Sequence, residues 1–421
     1  MIRIGCGQGF WGDSPEAPVR LVEDGPLDYL VLDYLAEVTM SILQKQKRDN
    51  PAFGYARDFP ALMERIQRSG VKVIANAGGV NPMACAQEIR RRCPGLKVAV
   101  VLGDDILDRL REHELLNMDT GAPLSTVIDQ VLSANAYIGA FPLAEALATG
   151  ADVVVTGRCS DAALVLAPMV HRFGWSETDW PLLAAGIVAG HIVECGAQCT
   201  GGNCLAAWET IPDLANIGYP IVEAHEDGTV VITKHEGSGG RVSLASVKEQ
   251  LVYEVGDPGA YYTPDVIADF TTVQLVDAGP NRVAVGGASG RPRPALLKAS
   301  IAYHWGWKAA GTLTYGPPKA SEKARRAAAI VNERCAKLGL TFDKQVTEVF
   351  GEEWAMLRMA VRDRNKATVE RWTREMIPLV LNGPPGATGY GEGRPKAHEV
   401  VAYWPALLPR EAVTTRIEVL G

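Results

Sequence analysis

His235 and Glu236 stand side by side, followed at once by Gly237, Gly239 and Gly240. A histidine titrates near neutral pH and a carboxylate beside it can share a proton, so the pair is a candidate acid–base couple. Three glycines within four positions cost backbone entropy unless the chain turns sharply or comes close to something. Downstream, Ser246 and Glu249 have capping-box spacing, and Val247, Leu251 and Val255 share one helical face. A glycine loop running into a helix start is the physical recipe for an anion site. His235 and Glu236 are therefore expected to be catalytic, with the backbone of Gly237, Gly239 and Gly240 against substrate.

Other residues could join them. In "TGRCSDAAL", Arg158 follows an apolar run and Ser160–Asp161 precede a helical one. The planar fork of arginine fits carboxylates and phosphates, so Arg158 and Ser160 are expected to hold an acidic group. Gly201, Gly202 and Asn203, in "CTGGNC", form a second flexible loop suited to the same task. Asp33, Glu37 and Asp104 each follow an apolar run. Oxygen ligands of this kind suit Mg²⁺, which needs only one or two carboxylates plus substrate oxygens. No G-x-S-x-G or H-E-x-x-H pattern occurs, so a serine hydrolase elbow and a zinc-protease site are not expected.

These residues need strands to carry them. Short apolar runs at Ile2–Cys6, Tyr29–Asp33, Lys72–Asn76, Lys97–Leu102, Tyr137–Phe141 and Asp152–Thr156 alternate with helical patterns such as Phe59–Ser69, Pro82–Cys93 and Leu143–Thr149. Continuous apolar strands alternating with helices predict an α/β fold with a mostly parallel sheet and flanking helices. Ligands in such folds bind beyond the carboxyl ends of the strands, where the polar residues lie. Asp227–Gly228 between apolar runs predicts a hairpin. Beyond about residue 271 the texture changes to short strands with helices near 319–338 and 366–381. The expected division is an α/β domain over 1–275 and a smaller α+β domain over 276–421 with ferredoxin-like character.

Composition narrows the partners. The chain has 421 residues, 47% hydrophobic, with 42 basic and 49 acidic side chains and a net charge of −7. With no basic stripe, nucleic acid is not an expected partner. No signal-peptide pattern opens the sequence and no apolar run is long enough to span a bilayer, so a cytoplasmic protein without membrane contact is expected. Of the eight cysteines, only Cys195, Cys199 and Cys204 cluster, at a spacing that fits no zinc or iron–sulfur pattern. The opening "GCGQGFWGD" has glycines after a strand, but Pro15 and Pro18 delay the helix and two acids, Asp33 and Glu37, follow the second strand. NAD is therefore not expected.

Several longer strings carry a resemblance: "IGCGQGFWGD", "DYLAEVTM", "NAGGVNP", "GADVVVTGRCSDAAL", "ECGAQCTGGN", "HEGSGGRVSLASVKEQLVYEVGDPGAYYTPDVIADFT" and "NGPPGATGYGEGRPKAHEVVAYWP". Together they run nearly from end to end, and the chain resembles the acyclic terpene utilisation (AtuA-type) family. The resemblance implies a role in breakdown of branched acyclic compounds through acyl-CoA intermediates, in carboxylic acid catabolism, with a small companion subunit. It brings no agreed catalytic residues. The expected function is a hydratase- or dehydratase-type lyase on a branched hydroxycarboxylic acid or its CoA thioester, in a homo-oligomer. A metal-assisted CoA-ester or amide hydrolase and a non-catalytic acyl-CoA-binding scaffold stay open beside it.

Overall fold

The computed structural model describes residues 1–206, 208–389 and 393–421, in two compact units. The first holds residues 1–128, 132–302 and 403–421; the second holds 129–131 and 303–402. The division thus falls at 302/303, not at 275/276 as the change of texture suggested, and the last nineteen residues return to the first unit. The strands over 274–286 look like a new domain in sequence, yet they pair into the large sheet of the first unit.

In the first unit the chain alternates strand and helix as its apolar runs require. In order come β1 (Ile2–Gln8), α1 (Ala17–Glu23), β2 (Tyr29–Leu32), α2 (Glu37–Asp49), α3 (Phe59–Ile66), β3 (Lys72–Ala75), α4 (Pro82–Arg92) and β4 (Val98–Leu102). Then follow β5 (Val131–Ala136), whose first residue belongs to the second unit, α5 (Ala140–Ala148), β6 (Val153–Thr156), α6 (Ala163–Phe173) and α7 (Trp180–Val193). The expected strand Tyr137–Phe141 is not formed. β5 takes the strand six residues earlier and Ala140 already begins α5.

A hairpin of β7 (Ile221–Ala224) and β8 (Val230–Thr233) turns through Asp227–Gly228 as its sequence dictates, and α8 (Leu244–Val252) follows. The cap of α8 is Ser243, whose side chain accepts from Ser246 N at 3.2 Å; Ser246 is the third helical residue rather than the cap. Next come β9 (Tyr261–Tyr262), β10 (Ile267–Asp269), β11 (Gln274–Asp277), β12 (Val283–Gly286), β13 (Ser289–Arg291) and the long β14 (Leu296–Tyr315).

Ten strands form one mixed sheet, in the order β11-β12-β8-β7-β1-β2-β3-β6-β4-β19, where β19 is Arg416–Leu420. The five central strands β1, β2, β3, β6 and β4 run parallel. They are buried on both faces, which is why Val31, Ile74, Val100 and Val154 can be apolar without alternation. On one face α5, α6 and α7 pack against the sheet in one core with Ile4, Val31, Ile74 and Val154. There Gly186 and Gly190 let α7 lie directly on α6: a Cβ at Gly190 would sit 2.6 Å from Ala162 O. That close approach fixes the carboxyl end of α7.

The second unit contains the rest of β14, then α9 (Ala320–Lys337), β15 (Lys344–Phe350), β16 (Ala355–Asp363), α10 (Lys366–Met376), α11 (Leu379–Asn382) and β17 (Ala387–Thr388). β18 (His398–Pro409) begins in it and ends in the first unit. β16 lies between β14 and β15, antiparallel to both, the split β-α-β arrangement of ferredoxin-like folds. Its core joins Leu313, Leu357, Val331 and Trp372. Among the described residues no helix is long and apolar enough to cross a membrane.

One buried acid ties α5 down. Both carboxylate oxygens of Asp265 lie 2.9 Å from the Ala140 amide at the start of that helix. Burial pushes its carboxyl up to about 6 from an ordinary 3.8. The native chain therefore keeps a proton that the unfolded chain loses first. This contribution to stability is full below about pH 4 and is lost as pH rises through about 6. Asp265→Asn keeps an acceptor for Ala140 and should flatten the decline of melting temperature over that window. Asp265→Ala orphans a buried amide and should cost about 1–3 kcal/mol. Thermal melts from pH 4 to 7 measure both; an unchanged slope in Asp265→Asn contradicts the assignment.

Candidate active site

Where the parallel strands end, the chain leaves its polar residues. Past β1 come Gly9 and Phe10; past β2, Asp33 to Glu37; past β6, Arg158 to Asp161. The ends of α7 and α8 and the start of β14 close around them. The result is a cavity of about 940 Å³ within the first unit, within the size range of small-molecule sites. Phe10, Met118 and Tyr262 form an exposed apolar part of its wall.

Arg158 is the centre of the polar wall. Its side chain is only 2% exposed. Nη1 donates to Leu35 O at 2.9 Å and to Asp161 Oδ1 at 2.5 Å, and the guanidinium lies 4.2 Å from the centre of the Tyr137 ring. Its Nε has no hydrogen-bond partner. Its backbone is held as well: Arg158 N donates to Asp104 Oδ2 at 2.7 Å, an oxygen that also accepts from Asn135 Nδ2. Gly157 makes this possible, because a Cβ there would lie 2.4 Å from the same oxygen.

The neighbouring acids are shifted in opposite directions. Asp33 Oδ1 accepts from Leu35 N at 3.1 Å and Asn76 Nδ2 at 2.7 Å. Burial, and next the charge of Asp161, hold its carboxyl well above the usual range, against the pull of Arg158. Burial also acts to raise Glu37, but the hydroxyl of Tyr137, donating at 2.6 Å, and the charges of Arg158 and Lys298 outweigh it and leave Glu37 below its ordinary value.

Across the lining, the end of α7 supplies two residues that the sequence did not single out. His191 is 3% exposed, lies 5.3 Å from the Tyr261 ring and 5.4 Å from the Phe270 ring, and its Nδ1 is 3.2 Å from Glu194 Oε1. Neither His191 Nε2 nor Glu194 Oε2 has a hydrogen-bond partner. Burial pushes Glu194 up to about 7, with Asp161 and Glu254 adding to the effect and His191 opposing it. A carboxyl titrating there can give or take a proton at neutral pH. Cys195 is next in line, but burial pushes its thiol up to about 12, so it is no thiolate nucleophile.

The sequence-derived candidates separate. Arg158, Ser160, Asp33 and Glu37 line the cavity. His235 and Glu236 do not, and their catalytic assignment is withdrawn. His235 is buried against α1, its Nε2 2.9 Å from Leu21 O, beside a crevice of about 10 Å³ with room for at most a water. Glu236 is exposed.

Gly237, Gly239 and Gly240 serve packing rather than a ligand: a Cβ at Gly239 would sit 2.0 Å from Asp213 O, and Gly237 and Gly240 have positive φ. Gly201, Gly202 and Asn203 likewise form a turn outside the cavity, with Gly201 and Asn203 at positive φ and Gly201 against Ile211. Asp104 lines a different cavity and supports Arg158 from behind. Asp33, Glu37 and Asp104 are thus not gathered as one Mg²⁺ ligand set. Among the described residues no group of three or more His, Cys, Asp or Glu side chains is placed to hold a metal.

Asp161, 33% exposed, keeps solvent when the guanidinium is removed, so the loss falls on Leu35 O, left without its donor, and on the face of Tyr137. Arg158→Ala should therefore cost about 1–3 kcal/mol of stability in urea unfolding. Arg158→Lys keeps the charge but cannot span Leu35 O and Asp161 together, and should fall between. Wild-type stability in both variants would contradict the role given to this guanidinium.

No curated protein matches the sequence. The family described as acyclic terpene utilisation family protein AtuA matches residues 2–419. That span takes in every strand of the large sheet but for the last residue of β19, and every residue of the cavity wall. The chain belongs to the AtuA family, whose role is in acyclic terpene utilisation.

Proposed function

We propose that the chain is a catabolic lyase of the hydratase–dehydratase type, acting on a branched hydroxycarboxylic acid or its CoA thioester. The observation that carries this reading is the His191–Glu194 pair, buried on the wall of a cavity that also holds Arg158 and Asp33, whose carboxyl burial holds above the usual range. The apolar side chains at Phe10, Met118 and Tyr262 suit a branched hydrocarbon tail.

In dehydration His191 Nε2 takes the proton α to the carbonyl, while Glu194 holds the other ring nitrogen and steadies the imidazolium that forms. Negative charge grows on the carbonyl oxygen, and the guanidinium of Arg158 stabilises it in a site sheltered from water. The bond to the β-hydroxyl breaks as Asp33 gives it a proton, and it leaves as water. Both hydrogen bonds that Asp33 accepts fall on Oδ1, so the proton it donates would reside on Oδ2. Hydration runs the same steps backwards.

The test is solvent deuterium exchange at the α-carbon of branched hydroxy acids and their CoA thioesters, followed by NMR, with and without Mg²⁺. Wild-type protein should catalyse exchange. His191→Ala should slow it by about 10²–10⁴-fold, the range ascribed to one general base. The pH profile should bend near 7, and Glu194→Gln should remove the bend. No exchange with any of these compounds, though they bind, would refute the lyase and favour a binding subunit. Exchange undiminished in His191→Ala would refute the residue assignment.

A further inference from the structure

The cavity is rich in acids. Six of its lining residues carry carboxyls: Asp33, Glu37, Asp161, Glu194, Glu254 and Asp257. Only Arg158 and Lys298 bring a permanent positive charge, and each already has a counter-ion on the same wall. Arg158 is paired with Asp161 at 2.5 Å and Lys298 with Glu37 at 3.5 Å. His191 faces Glu194. Even with Asp33 and Glu194 protonated, four carboxylates outnumber two cations. A free carboxylate entering here finds no cation without a partner and several like charges nearby, a repulsion that solvent at the exposed Glu254 and Asp257 moderates.

A neutral carbonyl meets a different situation. It needs a hydrogen-bond donor, not a counter-ion, and Arg158 uses only Nη1 for its two internal bonds. The charge that the carbonyl oxygen acquires exists only once the α-proton has moved, so the guanidinium acts where charge develops. A free acid would present that charge from the start and would resist loss of a second proton beside it.

We propose that the cavity takes its substrate as a neutral acyl derivative, with the carbonyl at Arg158, and discriminates against the free carboxylic acid. This deepens the lyase reading and rests on it for the identity of the site. It also changes the part played by Arg158, from clasping an anion to polarising a carbonyl.

The experiment is calorimetric titration of the full chain with three matched probes: β-hydroxyisovalerate, its amide, and its N-acetylcysteamine thioester. Binding is read without turnover, so the answer does not depend on the exchange assay. The amide and the thioester should each bind at least about tenfold more tightly than the acid, since such a factor is a modest electrostatic difference. Glu254→Gln and Asp257→Asn, at exposed positions of the wall, should strengthen binding of the acid and leave the amide unchanged.

Acid binding as tight as the amide or tighter overturns the inference while leaving the lyase reading intact. An amide as weak as the acid beside a tight thioester also overturns it, because charge would then not be the discriminator. Binding of none of the three removes the site assignment, and the inference with it.

Discussion

A guanidinium cannot be stripped of water without replacement partners, and that requirement organises the strand-end edge of this protein. Arg158 is buried, and its surroundings are built to repay the burial: Asp161 three residues on, Leu35 O from the turn after β2, and the face of Tyr137. Its backbone is held by Asp104 through the gap left by Gly157. β2, β4 and β6 thus each place one group around a single cation. The parallel sheet lines up their carboxyl ends, and the cation decides how the loops beyond those ends must run.

That charge also sorts the acids near it. Glu37, bonded to Tyr137 and close to both cations, stays below its ordinary value, whereas Asp33 and Glu194 are held up by burial. Groups of one chemical kind, shifted in opposite directions within one cavity, are what acid–base catalysis needs. The position of His191 comes from a different cause, the packing of α7 on α6 through Gly186 and Gly190. Electrostatics therefore shapes one wall and close helix packing sets the other.

Much of this was legible in the sequence, for physical reasons. Strands buried on both faces have to be continuously apolar, so β1, β2, β3, β4 and β6 stand out, and the polar residues behind them mark the ligand edge. Arg158, Ser160, Asp33 and Glu37 were reached that way. His191 and Glu194 were not, because "PLLAAGIVAGHIVEC" reads as a core helix, which α7 is. The available signal was a lone histidine in an apolar helix with an acid three residues on. His235 misled for the opposite reason. Glycines beside a histidine and an acid look like a ligand loop, but here they let two backbone segments cross at Gly239 and Asp213. Chain return was hidden too: nothing in the composition of 403–421 tells that β19 pairs with β4.

Besides the cavity around Arg158, the same edge carries a smaller one of about 550 Å³ beside Asp104, Asp105 and Arg109. Substrate is expected in the cavity around Arg158. The most direct measurement is a crystal structure of the chain soaked with a non-reactive hydroxyacyl amide. Density is expected with the carbonyl oxygen within hydrogen-bond reach of Arg158 and the α-carbon beside His191. Density in the cavity beside Arg109, with the wall around Arg158 and His191 empty, would contradict it.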